Sequence, residues 1–367
     1  MDWISTEKHA QRMLDCYTAQ DVFSTAGVLL VRKNTLIVSR HIRLFRRHGI
    51  KSIPVLQTAP VPQQVQRRLE KIDPSIGEKY EEQFERMTAV FTADQLTRRQ
   101  KLQDALDYFD TLLEPIRTSR SIFRTMQQLK GHDQYTYRHS INVGILCALI
   151  AEVNGLSDER VLEAGRAGLI HDIGKLFISE DIIRKPERLS EEEFREVKKH
   201  PIHGADMLQE YETIPYLHSA VLSHHERLDG SGYPEGAAGE QLSEAARITA
   251  IADVYDAVTS DRSYHQGATP FTGMKILEEE MYKGKLCSIL GIPFLHYMIR
   301  TYTGTQVLLS DGRIGHVVQI PQAHIDQPLI FTSNQVINLY EEDDLFIEDL
   351  YDERMTLSSD DEAEGER

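Results

Sequence analysis

The amino-acid sequence predicts a mainly α-helical protein with a small α/β head at its N-terminus and a short β-rich appendage near its C-terminus. Helical periodicity dominates residues 121–300, where neither strand alternation nor β-α-β spacing occurs. Short β-rich runs occur on both sides of it, in residues 1–70 and 301–350. The chain has 367 residues, 41% of them apolar and 27% charged, which is typical of a globular protein of two or three domains.

Residues 1–70 predict a small accessory or regulatory head. Two short strands are expected around Lys33-Asn34, and a basic helix and a further apolar run follow them. The basic helix carries arginines at spacings of three and four, namely Arg40, Arg43, Arg46 and Arg47. This spacing places them on one helix face, which favours a solvated surface over the alternative, contact with an anionic partner.

Three further regions flank the long helical segment, one before it and two after it. Residues 71–120 are polar and helical in pattern and predict a helical connector. In residues 301–350, Asp311-Gly312 between two apolar runs is a hairpin signal. Residues 351–367 predict a disordered acidic tail.

Charge and cysteine content exclude several classes of protein. The net charge of −16 argues against broad, charge-driven binding to DNA or RNA. Three cysteines, Cys16, Cys147 and Cys287, are far apart and odd in number, which predicts free thiols in a reducing compartment. The longest apolar run is well short of the roughly 20 residues that span a bilayer, and the N-terminus lacks a signal-peptide core. We therefore expect a cytoplasmic protein without a membrane span.

Histidines and aspartates cluster within the helical region. Eight of the 15 histidines lie in residues 132–225. His171-Asp172 ends an apolar helical run, where two ionisable groups would be costly to bury without partners, and His224-His225 follows another such run. Imidazole and carboxylate suit borderline divalent metals, and one carboxylate can bridge two ions. The pattern predicts a hydrolytic or redox site with two metals, bridged by Asp172, rather than a structural zinc site.

Four motifs in order carry a resemblance to a known family. They are HDIGK at 171–175, HPIHG at 200–204, HHERLDGSGYP at 224–234 and IADVYDAVTSDRSY at 251–264. Together they resemble the HD-GYP family of the HD phosphohydrolase superfamily, and the resemblance covers residues 123–298. It implies a helical HD-type catalytic domain at 121–300 and a bacterial signalling hydrolase, a phosphodiesterase that linearises cyclic di-GMP to pGpG and in some members continues to GMP.

The resemblance also implies a set of metal ligands and a cofactor. The matching positions are His139, His171, Asp172, His200, His224, His225 and Asp253. Two divalent ions are expected, with iron or manganese favoured. Tyr135 stands where some members carry a glutamate that recruits a third metal, which weakens the expectation of complete conversion to GMP. Two ions about 3.5–4 Å apart lower the pKa of a bridging water and clamp the phosphoryl oxygens, so no side-chain nucleophile is required.

Asp172 and Lys175 are the predicted catalytic residues. Lys175 follows His171 by four residues, so its ammonium can reach the same site and act on the scissile phosphate or the leaving oxygen. The alternative is a lysine that only stabilises a helix end. The resemblance assigns Arg262 to the ligand phosphate, and His265 stands where a second basic residue is common, which makes that contact weaker or pH-dependent.

The DGSGYP loop is predicted to bind substrate. Gly232 permits close backbone approach, Pro234 stiffens the loop, and Tyr233 offers a face on which a guanine base can stack. The alternatives are a turn with a packed tyrosine and a loop that contacts a protein partner. Homodimer formation is also left open.

Two functions other than cyclic di-GMP hydrolysis stay open. Two metals and a lysine recognise phosphate and not base, so another cyclic dinucleotide or a nucleotide could be the substrate. The chain could also be a non-catalytic receptor or interaction module that binds through the GYP loop.

Overall fold

The computed structural model describes most of the chain and shows a mainly helical protein, which confirms the predicted fold class. The described residues are 2–6, 13, 17–25, 27–31, 37, 39–56, 74–118, 135–183, 185, 187–211, 214–260, 267–333, 335–342 and 344–351. Their side chains form two hydrophobic clusters, one in the head and one that runs from the connector to the C-terminal sheet. The domain boundaries given above stay a prediction.

The head combines short strands with one helix. Its elements are β1 (Asp2–Ser5), β2 (Tyr17–Thr18), β3 (Val22–Phe23), β4 (Leu29–Val31), α1 (Ser39–Arg47) and β5 (Ser52–Leu56). Strand β5 lies between β1 and β2 in an antiparallel sheet, and β3 pairs with β4. The second strand expected after Lys33-Asn34 falls largely outside the described residues. All four predicted arginines of the basic helix are exposed on α1, and Arg40 pairs with Glu348 at 3.4 Å.

The connector is a pair of antiparallel helices, α2 (Pro74–Thr92) and α3 (Gln95–Thr118). Their direction follows from two contacts, because the ammonium of Lys79 donates to the carbonyl of Thr111 while the Gln83 amide donates to that of Ala105. Asp94 begins α3 by accepting the backbone N–H groups of two residues in its first turn, at 2.9 and 3.0 Å.

A bundle of helices follows the connector. Its elements are α4 (Tyr135–Val153), α5 (Asp158–Ile170), a 3-10 helix (Ile173–Phe177), α6 (Glu180–Ile183), α7 (Glu191–Val197), α8 (His200–Glu210), α9 (Pro215–Ser223), α10 (Glu244–Thr259), α11 (Pro270–Tyr282) and α12 (Ser288–Tyr302). Ser190 followed three residues later by Glu193 is the sequence signature of a capping box, and Ser190 begins α7 with that box. Cys147 and Cys287 are buried free thiols, whereas Cys16 lies outside the described residues.

The C-terminal appendage is an antiparallel sheet. Its strands are β6 (Gln306–Leu309), β7 (Ile314–Gln319), β8 (Leu329–Phe331), β9 (Val336–Asn338) and β10 (Ile347–Leu350), in the order β10-β6-β7-β8-β9. The predicted Asp311-Gly312 turn joins β6 to β7, and Gly312 adopts a φ of 88° there. The acidic tail beyond residue 351 lies outside the described residues. Within the part that is described, no helix is both long enough and apolar enough to cross a membrane.

Candidate metal centre

The helical bundle brings all seven predicted metal ligands together. Their ligand atoms fall into two groups, and within each group the atoms lie within 4.8 Å of one another. The first group is Asp172, His200, His224 and His225, and the second is His139, His171 and Asp253. The two groups are adjacent, because Asp172 Oδ2 lies 3.3 Å from His171 Nε2. Metal binding by these residues stays a prediction.

Helix ends present most of these ligands. His171 directly follows α5, His224 directly follows α9, and His200 begins α8. Gly174 allows the 3-10 helix to approach α8 closely, since a Cβ at this position would lie 1.8 Å from the carbonyl oxygen of His200. The HDIGK and HPIHG motifs therefore meet through their backbones.

Three of the histidines are oriented by the helix or turn that precedes them. The Nδ1–H groups of His171, His200 and His224 donate to the carbonyl oxygens three residues earlier, at 2.7, 2.7 and 2.9 Å respectively. Carbonyls in the last turn of a helix lack a partner within the helix, so these bonds satisfy them. With Nδ1 protonated, each Nε2 carries the lone pair that a metal requires.

The atoms that face one another in the centre are mostly acceptors. His200 Nε2 lies 3.2 Å from His224 Nε2 and 3.2 Å from Asp172 Oδ1. The buried His171 Nε2 makes no hydrogen bond among the described residues. Opposed lone pairs of imidazole and carboxylate are stabilised by a cation between them, and nitrogen and oxygen donors suit iron, manganese or zinc. The donor set therefore fits divalent metal ions.

The surroundings keep three of these ligands, His224, His225 and Asp172, in their unprotonated forms. Burial, followed by the neighbouring histidines, lowers the pKa of His224, and burial lowers the pKa of His225 to about 3. Burial acts to raise the pKa of Asp172, but the Lys175 ammonium and His171 outweigh it and hold the pKa well below the usual 3.8. Neutral imidazole and ionised carboxylate are the forms that bind metal.

We expect acid to destabilise the metal-free protein. Because the pKa of His225 is lowered from 6.5 to about 3 on folding, the unfolded chain binds a proton in this interval that the native chain does not. The free energy of unfolding should therefore fall as the pH falls from about 6.5 to 3. Thermal unfolding of chelator-treated protein across this range measures the effect, and His225→Gln should reduce the slope. An unfolding midpoint independent of pH would contradict this prediction.

Two buried carboxylates support the centre, and the motifs alone did not show their roles. Asp256, which lies outside the set of ligands that the resemblance implies, is buried and accepts the Nδ1–H of His139 at 2.7 Å. Glu226 is buried beside His225, and its Oε1 accepts the backbone N–H of Glu235 at 2.7 Å. The available signals were the adjacency of Glu226 to the histidine pair and the position of Asp256 in an apolar helix.

The GYP loop lies against the first ligand group. The half-buried Tyr233 ring stacks on the His225 imidazole, with centroids 4.6 Å apart and an interplanar angle of 29°. A Cβ on Gly232 would lie 2.5 Å from the His225 carbonyl oxygen, so a glycine is required there. The Tyr233-Pro234 peptide bond is cis. The loop thus places an aromatic ring beside the predicted metal ligands.

Lys175 lies at the edge of the centre, while two predicted phosphate contacts are not described. The Lys175 ammonium is 2.5 Å from Asp172 Oδ2, and 23% of its side chain is exposed. It can therefore reach both the buried centre and a ligand that enters from solvent. Arg262 and His265 lie outside the described residues, and of Tyr135 only the backbone, in the first turn of α4, is described.

Comparison with known proteins finds an HD domain and relatives named as cyclic dinucleotide phosphodiesterases. Residues 118–285 match the sequence model of a family described as HD domain. The chain is 38% identical over 216 residues to the cyclic di-GMP phosphodiesterase PA4108 of Pseudomonas aeruginosa, covering 59% of this chain and 52% of that protein. It is 38% identical over 155 residues to the 3'3'-cGAMP-specific phosphodiesterase 1 of Vibrio cholerae, covering 42% of this chain and 36% of that protein. The chain thus spans about half of these relatives or less.

A solved structure supports the fold. The structure of Bd1817, an HDG"Y"P protein from Bdellovibrio bacteriovorus, matches with a TM-score of 0.52 at 15% sequence identity. The match covers 81% of this chain and 99% of that one. At this identity the likeness concerns the fold alone.

Proposed function

We propose that this chain, whose residues 118–285 match the HD domain model, is a metal-dependent phosphodiesterase of the HD-GYP type that hydrolyses cyclic di-GMP to linear pGpG. The observation that carries the proposal is the convergence of seven histidines and aspartates in two groups beside Lys175 and Tyr233. Relatives named as cyclic di-GMP phosphodiesterases support the substrate.

Each residue of the site has a chemical task in this proposal. The seven ligands would hold two divalent ions, iron or manganese, which supply charge neutralisation and an activated water when bound. Lys175 would place its ammonium on the scissile phosphate or protonate the leaving oxygen. Tyr233 would stack on a guanine base and so orient the phosphodiester toward the ligands.

A second candidate substrate is a mixed cyclic dinucleotide. Relatives of similar identity are named as 3'3'-cGAMP-specific phosphodiesterases. In this proposal Lys175 would contact phosphate and the Tyr233 ring would contact a base, and an aromatic ring stacks on adenine as well as guanine. A further arginine or histidine that reads the base edge would decide between the two substrates.

The experiment is a comparison of substrates on protein purified anaerobically with its metal content measured. Cyclic di-GMP, 3'3'-cGAMP and GTP are offered at equal concentration, and the products are separated by chromatography. We expect the highest kcat/KM for cyclic di-GMP with pGpG as product. Equal or higher kcat/KM for another substrate would overturn the substrate assignment, and no turnover with the metals bound would favour a receptor role.

Lys175→Met is expected to lower kcat by about 100-fold while leaving the bound metal unchanged, because proton transfer or phosphate contact is lost but no ligand is removed. Lys185→Met is a matched control, since Lys185 pairs with Glu193 on α7. Steady-state kinetics and metal analysis measure both effects. Loss of metal together with turnover would instead assign Lys175 to holding Asp172.

The other expectations from the sequence stay predictions. They are a cytoplasmic location, a protein partner at the GYP loop and a homodimer.

A further inference from the structure

A chain of buried hydrogen bonds connects the connector helices to the metal centre. The Tyr80 hydroxyl on α2 donates to Asn142 Oδ1 at 3.1 Å, and the Asn142 amide donates to Asp256 Oδ1 at 3.1 Å. Asp256 Oδ2 in turn accepts the Nδ1–H of His139 at 2.7 Å. All four side chains are at most 5% exposed. With Nδ1 bonded in this way, His139 Nε2 faces Asp253 and lies 3.2 Å from its Oδ1.

The orientation of His139 depends on this series of hydrogen bonds, whereas three other ligands are oriented locally. Carbonyls three residues earlier orient His171, His200 and His224, whereas the Nδ1 of His139 is held by a carboxylate 117 residues away. Its orientation therefore follows that of Asp256.

Tyr80 and Asp256 hold the Asn142 amide from opposite sides. An amide presents an acceptor on one side and donors on the other. While the Tyr80 hydroxyl donates to Oδ1, the Nδ2 donors must face the Asp256 carboxylate. Without that hydroxyl the buried Oδ1 loses its donor and the Asn142 amide is held only from the side of Asp256, so the amide can shift and carry Asp256 and His139 with it.

The connector is held against this part of α4 by further contacts. Glu81 pairs with Arg138 at 3.2 Å, with both side chains largely buried, and the Arg138 guanidinium lies 4.6 Å from the ring centroid of Phe84. The rings of Phe91 and Tyr137 lie 4.9 Å apart. Helix α2 is thus fixed beside the first turns of α4, where His139 lies.

We infer that Tyr80 is a positioning residue for His139, acting through Asn142 and Asp256, so that the connector helix completes the metal centre from outside residues 118–285 that match the HD domain. The turnover measurement described below rests on the proposed function. The affinity for metal does not, because it reports directly on how His139 is positioned.

The experiment titrates the metal-free Tyr80→Phe protein with Mn²⁺ alone and monitors the unbound ion by electron paramagnetic resonance. Loss of the hydrogen bond to Asn142 predicts an apparent Kd about fivefold higher than in the wild type. Turnover at limiting Mn²⁺ should fall by a similar factor and be restored by saturating Mn²⁺, with KM unchanged. A purely structural loss would not be rescued in this way.

Two further variants make the test specific. Tyr216→Phe removes another buried hydroxyl, one without a hydrogen-bond partner among the described residues, and should leave the Mn²⁺ affinity unchanged. Asp256→Asn should weaken Mn²⁺ binding by about 10- to 100-fold. In that background Tyr80→Phe should add less than about twofold, because the path to His139 is already broken.

The outcomes separate this inference from the proposed function. Wild-type Mn²⁺ affinity in Tyr80→Phe, an equal loss in Tyr216→Phe, or a full additional loss in the Asp256→Asn background would each overturn the inference. Weaker Mn²⁺ binding by Tyr80→Phe, in a wild-type protein that hydrolyses no cyclic dinucleotide, would support the inference while the proposed function fails.

Discussion

Asp172→Asn should lose bound metal and phosphodiesterase turnover together, with a fall in kcat of at least about 1000-fold. The Asp172 carboxylate has one oxygen 3.2 Å from His200 Nε2 in the first ligand group and the other 3.3 Å from His171 Nε2 in the second. It can therefore serve both of the proposed ions. Charge stabilisation by such ions is worth several kcal/mol, which corresponds to this factor.

The variant is suited to a clean measurement because asparagine has nearly the same size as aspartate. Metal per chain is measured by mass spectrometry of the purified protein, and turnover by product chromatography. Asp206→Asn, on the exposed face of α8, is the matched control and should retain both metal and turnover. Hydrolysis retained by Asp172→Asn would refute the two-metal site, whereas metal retained without hydrolysis would assign Asp172 to another step.

Gly174→Ala should lower the free energy of unfolding by about 3 kcal/mol and weaken metal binding. The added Cβ would lie 1.8 Å from the His200 carbonyl oxygen and 2.5 Å from the Gly204 nitrogen, both of them backbone atoms. The 3-10 helix and α8 must therefore move apart, and His200 moves with α8. Overpacking of this kind costs about 1–3 kcal/mol or more.

Thermal unfolding measures the effect, and a fall in Tm of about 10 °C is expected for a domain of this size. Gly204→Ala is the graded comparison. There the nearest atom is Cγ1 of Val221, at 2.7 Å, which belongs to a side chain that can adjust. A smaller loss is expected in that variant. A Tm for Gly174→Ala equal to that of Gly204→Ala would show that the backbone contact does not set the stability here.

Local sequence signals predicted those features of the structure that depend on residues close together in the sequence. The hairpin at Asp311-Gly312 and the capping box at Ser190 need only a few residues each, and both are found as expected. The mainly helical class is confirmed for the same reason, because helical periodicity is a local pattern. The seven candidate ligands were found through the family resemblance, and the structure brings them together, most of them from helix ends.

Long-range contacts were beyond the sequence. Nothing in the polar pattern of the connector indicated that Tyr80 would bond to Asn142, 62 residues later, or that Asp256 would face His139. Such contacts depend on how packed helices meet, and one sequence does not determine that pairing. The burial of Glu226 was missed for a similar reason, since its partner is the backbone of a loop that folds back nine residues later.

The different anchoring of the histidines has a consequence for the order in which the centre assembles during folding. A bond that spans three residues closes a very short loop, so His200 and His224 can acquire their orientation as soon as their own turns form. The bond that orients His139 spans 117 residues and must await the docking of α10 on α4. We therefore expect the first ligand group, which lies within residues 172–225, to assemble before the second, which spans residues 139–253 and should be the first to lose its geometry when the bundle loosens.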